Sequence, residues 1–165
     1  MEWAFANLLN HPTILEKAEA EIDSQVGQNQ TLRLHPPIPL LLPHYSSDDC
    51  ITGGFSVPRG TILLVNACAI HRDPEQWSDP TSFKPERFES GDGRMNRLVI
   101  PFGLGRRACP AATLAHKFMG LALGSLIQCF EWKRIGEAEV DMVETEGLTN
   151  AQGKAAGSIP LNTKL

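Results

Sequence analysis

Apolar positions fall at helical spacing from the first residues onward. Trp3, Ala4, Phe5, Ala6, Leu8 and Leu9 predict a helix over Trp3–Leu9, ended by Asn10-His11-Pro12. No polar, frayed lead-in precedes it, so the chain is expected to begin inside a helix. Pro12 suits the first turn of a second helix, in which Ile14, Ala18, Ile22 and Val26 recur every four residues beside Leu15. Its opposite face carries Glu16, Glu19, Glu21 and Asp23, and Gly27 is a reasonable stop. The pattern then breaks. Gln28-Asn29-Gln30 is polar, Thr31-Leu32-Arg33-Leu34 allows one further helical turn, and His35-Pro36-Pro37-Ile38-Pro39 is barred from a helix interior.

Short apolar stretches follow. Leu40–Leu42, Cys50-Ile51, Phe55–Val57 and Thr61–Val65 predict small strands, with turns at Gly53-Gly54 and Pro58-Arg59-Gly60. A short helix is expected over Asn66–His71. Residues 73–108 hold Pro74, Pro80, Pro85 and Pro101 with Gly91, Gly93, Gly103 and Gly105, and read as mostly irregular. A stretch of that length without regular structure is usually functional. The strongest helix is expected from Cys109 to about Cys129, where Leu114, Phe118, Met119, Leu121, Ala122 and Leu126 give a broad apolar face. The tail from Glu131 is charged and fades into a weakly structured Ala151–Gly157. There are no internal repeats. The expected fold class is mainly α with a small antiparallel β portion.

Composition narrows the function. The 165 residues are 42% hydrophobic and 21% charged, as in a globular domain. A net charge of −4 and a pI near 5.7 give no electrostatic reason for nucleic-acid binding. No apolar run approaches the ~20 residues of a membrane span. Cys50, Cys68, Cys109 and Cys129 form no CxxC pair and no zinc-spaced Cys/His cluster. A disulfide scaffold is not expected of so few cysteines with no signal peptide before them.

The chemistry concentrates in Pro101-Phe102-Gly103-Leu104-Gly105-Arg106-Arg107-Ala108-Cys109-Pro110. Two glycines permit a tight turn with positive φ. Phe102 can pack against a flat ligand, and Arg107 can pair with an acid. Cys109 stands where the long helix is expected to begin, so free N–H groups and the helix dipole favour its thiolate. Pro110 suits the first turn of that helix. A lone cysteine at a helix start is most often buried packing; the whole segment changes that balance.

Phe102-x-x-Gly105-x-Arg107-x-Cys109 resembles the haem-binding signature of the cytochrome P450 superfamily. One position departs from it: the family usually has Gly two residues after the cysteine, and here stands Ala111. Pro85-Glu86-Arg87-Phe88 resembles the superfamily's PERF motif, and Thr31-Leu32-Arg33-Leu34-His35-Pro36-Pro37 the end of its ExxR helix. Leu42–Cys50, Val57–Thr61, Ala69–Pro74 and Leu126–Trp132 resemble plant microsomal members, above all the plant 81 family, which acts on phenylpropanoid, flavonoid and related specialised metabolites.

The resemblance implies the C-terminal, haem-binding part of that fold, truncated. Residues 1–27 would be the end of the distal helix and the helix after it. Residues 31–65 would be the remnant of the ExxR helix and a small sheet. Residues 66–108 would be the meander and haem-binding loop, 109–130 the proximal helix, and 131–165 the C-terminal tail. It implies haem b, iron protoporphyrin IX, with Cys109 as axial iron ligand, the thiolate ligation of this class. Arg107 and His44 would bond the haem propionates, with Phe102 packed beside them. Pro39, Leu42 and Leu148 would line part of the substrate pocket. The plainer reading of His44 is a polar turn residue, and of the other three ordinary packing. Arg106 and Lys117 would face a redox partner or simply be solvated.

Two departures matter more. The family's ExxR glutamate is here Gln30, so Arg33 and the PERF arginine, Arg87, are expected to share a buried site without their carboxylate; breaking such a pair costs about 3–5 kcal/mol. Val26-Gly27-Gln28-Asn29-Gln30 runs straight into Thr31 where relatives carry more chain, which implies an internal deletion. The distal acid–alcohol pair would lie upstream of Met1-Glu2-Trp3, so no catalytic residue is expected among these residues.

Two functions follow from the resemblance. One is a haem-thiolate monooxygenase, fed by an NADPH–cytochrome P450 reductase and acting on a small hydrophobic or phenolic substrate. The other is an inactive remnant that keeps the signature alone. The family setting implies the endoplasmic reticulum membrane; without an anchor in these residues, the cytoplasm.

Overall fold

The computed structural model describes residues 1–21, 28–88, 98–134, 136–153 and 158–163. Ile22, Asp23, Val26, Gly27, Gly91, Gly93 and residues 154–157 lie outside them. Three helices open the chain: α1 (Glu2–Asn10), α2 (Pro12–Glu21) and α3 (Gln28–Leu34). Pro12 starts α2, as its fixed φ favours. Gln28-Asn29-Gln30, expected to be a polar break, forms the first turn of α3 instead. Seven residues are too few for a helix to persist in water by propensity. Burial holds this one, since Gln28, Gln30, Thr31, Leu32, Arg33 and Leu34 are all buried.

Two small antiparallel pairs follow. β1 (His44–Tyr45) pairs with β4 (Ile62–Leu63), and β2 (Cys50–Thr52) with β3 (Phe55–Val57). Gly53 and Gly54 close the second pair with φ of 58° and 86°, which the tight hairpin turn demands. The strand expected at Leu40–Leu42 does not form. Leu41 takes a φ of 52° instead, turning its side chain into a small core with Ala67 and Ile100. The Thr61–Val65 strand shrinks to Ile62–Leu63. α4 (Ala67–His71) forms as expected, with the Asn66 side chain accepting the Ala69 amide at 2.9 Å.

The described residues from 73 to 108 hold short 3₁₀ turns at Pro85–Phe88 and Gly105–Arg107 and are otherwise mostly irregular. α5 spans Ala112–Cys129, three residues later than expected, so Pro110 lies in the turn before it. The tail is more ordered than expected: β5 (Phe130–Arg134) pairs with β6 (Ser158–Thr163).

The main core joins Ala4, Phe5, Leu8 and Leu9 of α1 to Leu15 and Ala18 of α2 and to Leu123 and Ile127 of α5. Each fully buried aliphatic side chain there contributes about 1.5–3 kcal/mol. The face of α5 that faces this core is not the expected one. Leu114, Phe118 and Leu121 are 58%, 68% and 72% exposed. The single broad apolar face expected of α5 divides in two, and the side through Leu123 and Ile127, with Leu126 partly buried beside them, is the covered one. No helix among the described residues is long and apolar enough to cross a membrane.

Candidate functional site

The Cys109 loop is built by its own backbone. Gly103 and Gly105 adopt φ of 74° and 72°, which a Cβ would strain. The Gly103 amide donates to the Ile100 carbonyl at 3.0 Å, and the Ala108 amide to Gly105 at 3.1 Å. The Cys109 amide then donates to the Phe102 carbonyl at 2.9 Å, closing the loop. The thiol of Cys109 is free and exposed, at the end of a closed turn rather than in packing. Ala112 donates to the Cys109 carbonyl at 3.3 Å, so the loop runs directly into α5. Phe102 is half-buried and meets the His116 ring edge-on, with centroids 5.4 Å apart.

Arg107 is exposed and joins no ion pair among the described residues. His44 is exposed on β1, opposite Leu63. Pro39 is half-buried, its carbonyl accepting the Cys68 amide at 3.2 Å. Leu42 and Leu148 are 64% and 69% exposed. A cleft of about 710 Å³ lies between the start of α3 and α5, lined by Gln28, His116, Lys117 and Gly120 among others. His116 thus touches both the cleft and Phe102, yet Cys109 does not line the cleft.

The donor chemistry fits a haem. Cys109 offers a soft sulfur ligand on a loop that presents it outward, and Arg107 an uncommitted guanidinium of the kind that binds carboxylates.

The second part of the site is buried. Arg33 is fully buried. Its Nη1 donates to the His71 and Pro80 carbonyls, each at 2.6 Å, and its Nη2 to Ser82 at 3.3 Å. Its Nε donates to Gln30 Oε1 at 3.2 Å, and Gln30 Nε2 to the Ser82 carbonyl at 2.7 Å. The guanidinium also lies 4.8 Å from the centre of the Trp77 ring. Burial lowers its pKa to about 10, with repulsion from Arg87 and Arg72 adding to the effect.

The expectation of two arginines buried together is therefore corrected. Arg87 is only half-buried, its Nη2 donating to the Asp79 carbonyl at 2.9 Å and its Nη1 to Ser78 Oγ at 3.3 Å. Its Nε is buried without a partner. Among the described residues neither arginine pairs with an acid. Backbone carbonyls and the Gln30 amide oxygen take up the Arg33 donors in place of a carboxylate.

Two groups were missed by sequence reasoning. His35 stacks flat on Trp3, with centroids 4.0 Å apart, and lies 3.4 Å from Glu144, which Arg72 also approaches at 3.4 Å. Burial drops the His35 pKa to about 4 against the pull of Glu144. At neutral pH it is uncharged, so its contact with Glu144 is a long hydrogen bond and not an ion pair. His71 is fully buried, and burial lowers its pKa to about 4 as well. No local signal marks either residue, because their partners are distant in sequence.

A sequence model of the cytochrome P450 family matches residues 1–156. "Cytochrome P450 81E8" of Medicago truncatula is 53% identical over 168 residues, covering 90% of this chain and 33% of that protein. "(+)-piperitol/(+)-sesamin synthase CYP81Q2" of Sesamum radiatum is 51% identical, covering 93% and 34%. An isoflavone 3'-hydroxylase of Medicago truncatula is 51% identical, covering 90% and 33%. The chain thus spans about a third of the length of these curated relatives. A zebra fish cytochrome P450 solved with abiraterone superposes with a TM-score of 0.82 at 31% identity, over 96% of this chain and 42% of its own.

Proposed function

The chain belongs to the cytochrome P450 family, and on that premise we propose that residues 101–110 form the thiolate face of a haem-dependent monooxygenase. The observation that carries this is the closed loop that presents a free, exposed Cys109 sulfur beside an uncommitted Arg107. Cys109 would hold the iron of haem b through its thiolate sulfur. Arg107 and His44 would bond its propionates, and Phe102, braced by His116, would pack beside the ring. Bound haem would supply dioxygen activation, by which one oxygen atom would enter an organic substrate and the other, with two electrons and two protons, would leave as water. In this chain's residues, Gly103 and Gly105 set the loop's shape, and the Cys109 amide–Phe102 carbonyl bond fixes the backbone that carries the sulfur.

The substrate class we infer is a small phenolic or flavonoid-like plant metabolite, supported by the isoflavone hydroxylase and sesamin synthase names among the relatives. Pro39, Leu42 and Leu148 would line its pocket. Electrons would come from an NADPH–cytochrome P450 reductase, and the enzyme would work at the endoplasmic reticulum membrane. The alignment to the 81E8 protein runs over 168 residues yet uses 90% of a 165-residue chain, so that relative carries residues with no counterpart here. That supports a deletion, which we place at the short join between Val26 and Thr31.

A second reading has its own support. Cys109, Leu104, Leu114, Phe118 and Leu121 are all exposed, which supports a reading in which the described residues are one wall of a larger site. On that reading these residues keep the ligand loop without turnover. Haem titration of residues 1–165 tests both parts of the proposal. Arg107→Ala should weaken haem binding at least as much as His44→Ala. Binding that ignores both changes, or that survives Cys109→Ala with an unaltered Soret band, contradicts the assignment.

A further inference from the structure

The Cys109 loop departs from the protein body at Ile100, and a buried side chain bonds the backbone at that point. The Ile100 amide donates to His71 Nε2 at 2.8 Å. For that nitrogen to accept, the ring proton must sit on Nδ1. Nδ1 lies 3.1 Å from the Arg33 carbonyl, the acceptor such a proton needs. Both hydrogen bonds therefore demand one tautomer, and they agree on it.

The His71 backbone closes the arrangement. Its carbonyl accepts Arg33 Nη1 at 2.6 Å, so α3 and α4 are joined by two opposed bonds, Arg33 to His71 and His71 to Arg33. From there the path to the thiol is short. Ile100 accepts the Gly103 amide, and Phe102 accepts the Cys109 amide. Ile100 also packs in the small core with Leu41 and Ala67.

We propose that His71 is a positioning residue for the Cys109 loop, its neutral ring spanning from the Arg33 carbonyl to the Ile100 amide and fixing the backbone from which the loop leaves. Burial, with repulsion from Arg33 and Arg72, keeps the ring neutral at physiological pH against the pull of its hydrogen bond to the Arg33 backbone. That this matters for haem rests on the proposed function; the positioning itself does not.

The test separates the two ends of the ring. In His71→Asn the amide reproduces the Nδ1 side and falls short of Ile100. In His71→Gln the longer amide reaches the Nε2 position and can still accept from Ile100. Amide hydrogen exchange is followed at Ile100, Gly103 and Cys109, with Leu8 and Leu123 in the main core as references. His71→Asn should speed exchange at the three loop amides about tenfold or more relative to those references, while His71→Gln leaves them within about threefold. Equal acceleration in both variants, or none in His71→Asn, overturns the proposal. Should either variant fail to fold, ring-nitrogen NMR of the unaltered chain decides. At neutral pH, Nδ1 should carry the proton and Nε2 should be an unprotonated acceptor. The opposite tautomer, or an imidazolium, overturns the proposal.

Discussion

Arg33 and Cys109 sit at opposite extremes of the same molecule. Arg33 is fully buried and every one of its guanidinium nitrogens is bonded, to Gln30, His71, Pro80 and Ser82. Cys109 is exposed, and its loop is bonded chiefly to itself. The first region is finished by these residues. The second presents its reactive atom outward. Structure at the hub comes from many convergent contacts, while chemistry at the loop comes from one atom left without them.

Removing the hub should have the largest effect. Arg33→Met strands the His71 and Pro80 carbonyls, while Ser82 keeps its bond from Gln30, and is expected to cost about 3–5 kcal/mol, read from the urea midpoint. A loss under about 1 kcal/mol would mean the carbonyls find other donors, and the contrast between the two regions would fail.

Acid should come next. The folded pKa values of His71 and His35 are lowered to about 4 from an unfolded value near 6.5. Between those values the unfolded chain binds more protons than the folded one. Stability is therefore fully present above pH ~6.5 and falls as pH drops toward ~4, by on the order of 3 kcal/mol for His71. A midpoint flat across that window would contradict the buried, neutral rings.

Restoring the missing acid sharpens the comparison further. In Gln30→Glu a carboxylate meets Arg33 Nε and draws in Arg87, while Ser82 keeps its bond from Arg33 Nη2. The expected gain is about 1–2 kcal/mol at neutral pH, lost as pH falls through the new group's depressed pKa. Adding Arg87→Met should remove part of that gain. If Gln30→Glu destabilises at neutral pH, the carbonyls have replaced the acid completely.

At the loop the effects should be small without haem. Gly105→Ala meets no atom within 4 Å of the new Cβ, so its cost is conformational alone, about 1–2 kcal/mol. A larger loss would show that the loop is packed more tightly than its exposure indicates.

The sequence made the two regions legible to different degrees. The loop was readable because its signals are local: glycines, arginine and cysteine within a few residues fix the turn and mark the cysteine we propose as the ligand. The first two helices and the Gly53-Gly54 hairpin were readable for the same reason. The start of α5 was misplaced because Pro110 suits a first turn and the turn before it equally. Its exposed stripe was misjudged because apolar spacing does not say which neighbour is present. The hub was half-legible. Arg33, Arg87 and Gln30 were identified by resemblance, but the carbonyls of His71, Pro80 and Ser82 carry no side-chain signal. The left-handed Leu41 and the pairing of β5 with β6 depend on contacts far along the chain, and local pattern could not reveal them.

The central claim is that Cys109 carries an inherited haem-ligand role. The reduced, CO-bound absorption spectrum of residues 1–165 reconstituted with haem tests it most directly. The expected result is a thiolate-type Soret band that Cys109→Ala abolishes and that the same change at Cys68 or Cys129 leaves in place. A thiolate band that survives Cys109→Ala, or no such band in the unaltered chain, would contradict it.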